Sequence, residues 1–218
     1  MKVSNTMREM NRVIVYIDGF NLYYGLKSKG WKRYYWLDLQ KLANNLLKPG
    51  QTLATTKYFT ARILAKERGK QRRQFTYLEA LGTLANFHIY YGHYLEKTIT
   101  CFNCNNTWIS HEEKMTDVCI GTELLTDAFK DRFDTALIVS GDSDLVPPVQ
   151  ALKNNFSEKR VIVAFPPNRK SWDLGKTANA RFTIDKYKFR KSMFPDQVVK
   201  PDGYVLERPK EWMKNVGA

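Results

Sequence analysis

Apolar residues in this chain come in short bursts, and the two sharpest bursts end in acid. Val13-Ile14-Val15-Tyr16-Ile17 runs straight into Asp18-Gly19-Phe20-Asn21, and Ala136-Leu137-Ile138-Val139 runs into Ser140-Gly141-Asp142-Ser143-Asp144. Apolar runs of this length, bounded by glycine, predict strands buried on both faces of a parallel sheet. Further strands are expected over 52–63, 87–95, 160–165 and 181–184, where β-branched and aromatic residues gather. Between them the apolar spacing widens to helical. Leu22 and Leu26 mark a short helix over 21–29. Asp38 caps a second, through Leu39, Leu42, Leu46 and Leu47, which Pro49-Gly50 stops. Others are predicted over 66–86, 114–130 and 171–178, and one begins with Pro147-Pro148 in its first turn. Strands alternating with helices predict an α/β fold in three layers around a mostly parallel sheet of about five strands.

Three stretches fall outside this rhythm. Residues 1–11 form a polar N-terminal extension without the character of a secretory signal. Residues 97–113 are polar, hold Cys101 and Cys104, and are expected to form an inserted loop or small ribbon. Residues 186–218, rich in Lys, Pro and aromatics, are expected to form a loosely packed basic tail, which leaves 12–185 as the domain. No apolar run approaches the ~18–20 residues of a membrane span. These features make the cytoplasm the expected location. Three cysteines, an odd and small number, argue against a disulfide framework.

The acids carry the chemistry. Ligand sites of open α/β sheets lie beyond the carboxyl ends of the strands. Asp18, Asp142 and Asp144 all sit at such ends, and Asp117 lies near the start of the helix over 114–130. Converging carboxylates repel by about 4 kcal/mol per pair at ~4 Å and an effective dielectric of 20. A hard divalent cation, Mg²⁺ or Mn²⁺, offsets that repulsion. Glu123 is a further candidate ligand, six residues along the helix from Asp117 and therefore off its stripe. Asn21 is placed to orient water or phosphate, and Ser140 and Ser143 offer hydroxyls beside the acids. Each acid alone also reads as a helix cap or turn residue; their joint occurrence favours a metal site. Cys101 and Cys104 have the spacing of half a zinc site, which His93 or His111 would complete; a redox or inert pair is the other reading. Cys119 reads as a small core residue.

Charge adds a partner. Thirty-five Lys and Arg against 22 Asp and Glu leave +13. A basic protein gains affinity for polyanions by releasing their counterions. Two clusters stand out: Lys27, Lys29, Lys32 and Arg33 around Trp31, Tyr34, Tyr35 and Trp36, and Arg62, Lys66, Arg68, Lys70, Arg72 and Arg73. Such clusters track phosphates and stack bases, or else form a solvated helix face over core aromatics.

Three blocks, Tyr16-Ile17-Asp18-Gly19-Phe20-Asn21-Leu22-Tyr23, Glu113-Lys114-Met115-Thr116-Asp117-Val118 and Ser140-Gly141-Asp142-Ser143-Asp144-Leu145, resemble the NYN domain in its LabA-like bacterial branch. The likeness extends over about 13–184. It implies a PIN-like sandwich and a metal-dependent ribonuclease cutting single-stranded or looped RNA to 5′-phosphate and 3′-hydroxyl ends. Asp18, Asp117, Asp142 and Asp144 match the family's acidic metal site and Asn21 its polar partner, while Glu123 stands where many relatives have Asp. The rival readings are a non-catalytic RNA-binding module on the same fold, and a regulator that binds a protein partner or a second copy through the cysteine loop. Phosphatases with Asp-x-Asp after the first strand need an acid where this chain has Phe20, and a Toprim-like reading fits Asp18-Gly19-Phe20-Asn21 poorly.

Overall fold

The computed structural model describes residues 11–63 and 68–213, so most of the expected N-terminal extension and Lys66 lie outside the described residues. Along the chain come β1 (Asn11–Asp18), α1 (Gly19–Ser28), α2 (Leu39–Leu46), β2 (Gln51–Ala61), α3 (Arg68–Leu81), β3 (Phe87–Thr100), β4 (Thr107–Lys114) and α4 (Thr116–Phe129). There follow β5 (Thr135–Val139), α5 (Val146–Asn155), β6 (Arg160–Phe165), α6 (Trp172–Thr177), β7 (Ala180–Thr183), α7 (Lys186–Lys191), β8 (Gln197–Val199) and β9 (Val205–Glu207). The main sheet has the order β4-β3-β2-β1-β5-β6-β7, parallel throughout except where β4 pairs antiparallel with β3. The chain winds outward from β1 in one direction and then, from β5, in the other. The crevice between the ends of β1 and β5 is the switch point where doubly wound sheets hold their ligands.

β1 shows why the sheet is buried on both faces. Val13, Val15 and Ile17 enter a core with Leu22, Leu26, Leu39, Leu42 and Leu78 from α1, α2 and α3. Ile14 and Tyr16 enter the opposite core, with Ile120, Leu124, Val149, Leu152 and Leu174 from α4, α5 and α6. Period-two alternation on β1 thus feeds two layers of helix. Local signals set the helix ends. Asp38 Oδ1 accepts the Lys41 amide at 2.8 Å to start α2, and proline opens α5.

Two expectations change. The 97–113 stretch is a ribbon, as one of the two options had it, but it is longer than expected. β3 leaves β2 after Gly92 and continues paired with β4 alone, from His93↔Lys114 to Thr100↔Thr107. The second change concerns the segment after residue 185, which is packed rather than loose. Phe189, Phe194, Val198 and Leu206 are buried in the first core. Trp36 Nε1 donates to the Pro195 carbonyl at 2.7 Å, and the buried Arg208 donates to the carbonyls of Arg33 and Trp212. Each short element here buries only an anchor or two, too few to raise a period. Among the described residues no helix is long and apolar enough to cross a membrane.

Candidate metal centre at the switch point

Asp18 ends β1 and caps α1. Its Oδ1 accepts the Asn21 backbone amide at 3.0 Å, and its Oδ2 accepts Asn21 Nδ2 at 2.7 Å and Ser140 Oγ at 2.8 Å. Asn21 also ties in the second strand end: Nδ2 lies 3.4 Å from Asp142 Oδ2, and Oδ1 accepts the Gly141 amide at 3.2 Å. Ser140 does the same from β5, since its Oγ accepts the Asp142 amide at 3.0 Å while donating to Asp18. Asn21 and Ser140 therefore lock two loops, more than 120 residues apart, into one register.

Glycine makes the approach tight enough. A Cβ on Gly19 would lie 2.7 Å from the Phe59 carbonyl oxygen, and one on Gly141 would lie 2.5 Å from the Arg169 carbonyl oxygen. A side chain at either place would push its segment off the neighbouring backbone, Phe59 for Gly19 and Arg169 for Gly141. The third acid comes from α4, whose start is turned by Met115 in the left-handed region at φ 80°. Asp18, Asp117 and Asp142 each offer a carboxylate oxygen, and the three oxygens lie within 4.8 Å of one another. Asp18 is buried and the other two are half-buried. Burial pushes the Asp18 carboxyl up; the Asn21 amide, the Ser140 hydroxyl and the Asn21 side chain pull it down, and Asp142 pushes it up again. The donors to Asp18 named here are all neutral, so they orient its charge without cancelling it. Hard oxygens converging on one point, one of them out of water, are the donor set of a small divalent cation.

Other expected residues lie elsewhere. Asp144 is exposed, one step beyond this cluster. The Asp142 carboxylate accepts the Asp144 amide at 3.0 Å, which starts the turn Ser143–Leu145 and faces Asp144 and Ser143 to solvent. Ser140 is fully buried and its hydroxyl is committed to the two acids, so it is a brace rather than a surface contact for RNA. Glu123 belongs to a different site. It accepts Lys57 Nζ at 2.6 Å and the Tyr90 hydroxyl at 2.9 Å. Lys57 also bonds the buried Asp127, which accepts the Tyr16 hydroxyl at 2.7 Å. Burial works against the Lys57 ammonium, but its bonds to Asp127 and Glu123 outweigh it and hold its pKa above the usual value. Sequence reading missed this network because Lys57 stands alone among Thr and Tyr on β2, with no local signal of its distant partners.

Among the described residues, the group that could hold a metal ion includes neither Cys101 nor Cys104. Cys101 and Cys104 share the turn at the ribbon tip, where the amides of Asn103 and Cys104 lower the Cys101 thiol. His93 lies eight residues down β3 from Cys101, about 26 Å of extended chain. His111 is opposite Glu96, five residues down, about 16 Å. Cys119 is partly buried against the second core.

The basic clusters divide. Tyr34 and Trp36 are core residues, and Trp31 packs against Phe189. Lys29, Lys32, Arg33, Arg68, Lys70 and Arg72 are exposed, while Arg73 is half-buried and donates to Glu211 at 2.7 Å.

Solved structures share the architecture. A crystal structure of a protein of unknown function, VPA0982 from Vibrio parahaemolyticus RIMD 2210633, matches 89% of this chain and all of its own, at a TM-score of 0.53 and 19% identity. A curated relative, 6-hydroxy-3-succinoylpyridine 3-monooxygenase HspA of Pseudomonas putida (strain DSM 28022 / S16), is 28% identical over 190 residues. That alignment covers 71% of this chain, and the chain spans 59% of the relative's length. The family model for the NYN domain matches residues 12–186, and with Asp18, Asp117 and Asp142 gathered at the switch point of its sheet the chain belongs to that family of PIN-like nucleases.

Proposed function

We propose that this protein is a metal-dependent endoribonuclease of the LabA-like branch, cytoplasmic, acting on single-stranded or looped RNA. The observation that carries the reading is the convergence of Asp18, Asp117 and Asp142 within 4.8 Å. These three would hold Mg²⁺ or Mn²⁺. Such an ion, when bound, polarises a phosphodiester and lowers the pKa of a water beside it. The chain's own residues prepare the reaction. Ser140 and Asn21 fix the orientation of the Asp18 carboxylate, and Asn21 also restrains Asp142. Asn21 Nδ2 stands between the two acids and donates to both, which holds their carboxylates in place for an incoming phosphate or water. The water oxygen forms the new bond to phosphorus as the bond to the 3′ oxygen breaks, leaving a 5′-phosphate and a 3′-hydroxyl. Asp144 and Ser143, exposed at the mouth, and Lys29, Lys32, Arg33, Arg68, Lys70, Arg72 and Arg73 would meet the RNA around this point.

Incubation of the purified protein with labelled RNA and DNA in Mg²⁺, Mn²⁺ or chelator tests the reading. RNA cleavage with metal, its loss in chelator, and its loss in Asp142→Asn with RNA binding retained are expected. Salt-sensitive RNA binding without metal-dependent cleavage would instead identify a binding module.

A further inference from the structure

A cavity of about 350 Å³ opens along α1, starting from the residues next in the chain to Asp18, within the ~300–1,000 Å³ range of small-ligand sites. Gly19 and Phe20, the two residues that follow Asp18, line it, so the first turn of α1 borders the cavity while its cap Asp18 belongs to the metal centre. Its walls are aromatic. The Tyr23 and Tyr35 rings lie 5.0 Å apart, centroid to centroid, and Trp212 meets Tyr35 edge-on at 5.8 Å. Phe20 meets Tyr94 at 6.3 Å.

The aromatic walls carry a basic lining. Lys32, Lys70 and Arg73 line the cavity, and Lys27 Nζ sits 6.0 Å from the centre of the Tyr23 ring. Burial pushes the Tyr35 phenol up to about 12, and its Tyr23 neighbour adds to this, so the wall stays uncharged at neutral pH. Trp212 comes from beyond residue 186, where the family match ends. Arg73 holds that segment in place by its bond to Glu211. This wall therefore depends on a piece of chain outside the matched domain.

Aromatic side chains favour a planar ring, and the lysine and arginine beside them favour a ligand that carries negative charge. The turn from β1 into α1 joins this cavity to Asp18, one of the carboxylates that would hold the ion. A nucleotide has this shape: a ring for the cavity and a phosphate for the metal centre. A base-paired ring would first have to leave its partner, at a cost of about a few kcal/mol, so an unpaired one enters more readily. We infer that the cavity takes one unpaired nucleobase of the RNA next to the phosphodiester that is cut, with Tyr23, Tyr35 and Trp212 as its stacking wall. This rests on the nuclease reading above for the identity of the phosphate, though not for the ring.

The test separates the two. Uridine and adenosine 5′-monophosphates and ribose 5-phosphate are titrated into the full chain in Mg²⁺ by calorimetry, with pyridine-3-carboxylate as competitor. Cleavage of an RNA bearing one abasic position beside the cut is measured in parallel. Binding of a nucleoside monophosphate at least about tenfold tighter than ribose 5-phosphate is expected, from stacking alone. Tyr23→Ala, at a partly exposed position, removes that difference, and Tyr23→Phe restores it. The abasic RNA is cut more slowly at that position. RNA cleavage indifferent to the missing base, with equal binding of the two phosphates, overturns the cavity assignment and leaves the nuclease reading standing. Nucleotide binding that depends on Tyr23, without any cleavage, supports the cavity and sinks the nuclease reading. Displacement of the nucleotide by pyridine-3-carboxylate at tenfold lower concentration overturns the assignment in favour of a free heteroaromatic acid.

Discussion

Asp117 shows how charge and stability oppose each other at a single residue. Without a cation, three carboxylates within 4.8 Å of one another repel. Asp117→Asn removes one charge and keeps the shape. It is expected to stabilise the metal-free protein by about 1 kcal/mol, a rise of roughly 2–4 °C in Tm at this chain length. The same change should abolish the thermal shift that Mn²⁺ gives the parent; calorimetry in chelator and in Mn²⁺ checks both, and an unchanged Mn²⁺ shift would contradict the assignment. Gly141→Ala makes the opposite point. Its Cβ has no room beside the Arg169 carbonyl, so a loss of about 1–3 kcal/mol is expected from overpacking. A variant melting with the parent would show that the loop yields freely. Asp18 and Asp142 were legible in the sequence because each directly ends an apolar run. Asp144 was not separable from Asp142, because their different fates depend on one side-chain cap that turns the chain between them.

Among the elements, β2 and α4 are joined by charge. Lys57 is buried between Glu123 and Asp127, and Tyr16 on β1 and Arg132 also donate to Asp127. Lys57→Met takes the buried ammonium from the fully buried Asp127 and leaves it only the exposed Arg132 guanidinium. Breaking one side of such a pair costs about 3–5 kcal/mol, so a fall of about 10 °C in Tm is expected. A fall under about 2 °C would mean that the pair contributes little. The sign of the pH effect follows from the folded-state shifts. The Lys57 and Tyr16 pKa values both lie above their ordinary values, Tyr16 mainly through burial and then the Asp127 charge. Both groups thus hold their protons more tightly folded than unfolded. Their contribution is complete below about pH 10, where the unfolded groups are still protonated, and is lost as pH rises through the folded values. Thermal scans from pH 8 to 11 should show a steeper alkaline loss of Tm in the parent than in Tyr16→Phe. Glu123 was misplaced for a related reason: its helix position was legible, but Lys57 lies 66 residues away and no spacing rule reaches it.

The whole molecule is a doubly wound sheet whose layered, mostly parallel α/β plan was readable from alternating strands and helices, while its strand order was not. What the sequence hid lies at its margins. The ribbon carries polar residues on both sides, so it lacked the alternation that marks a half-buried strand. The final segment offers an apolar anchor or two per short element, so it resembled a tail. Yet Phe189, Phe194, Val198 and Leu206 are all buried. At about 1.5–3 kcal/mol each, their loss would consume most of a typical domain's stability of about 5–15 kcal/mol. A chain ended at Asp185 is therefore expected to lack a cooperative melt, and a sharp transition within a few degrees of the parent would contradict the packing. A net charge of +13 acts at the same scale. RNA affinity should fall steeply with salt, linearly on logarithmic axes, as phosphate contacts are screened.

All of this turns on side chains from β1, α4 and the end of β5 sharing one divalent ion. Crystals soaked in Mn²⁺ and measured at the manganese absorption edge give the most direct view. The account predicts an anomalous peak within bonding distance of Asp18, Asp117 and Asp142, absent from crystals of Asp142→Asn. A featureless map at full soak, with the three carboxylates turned apart or held by basic side chains, would contradict it.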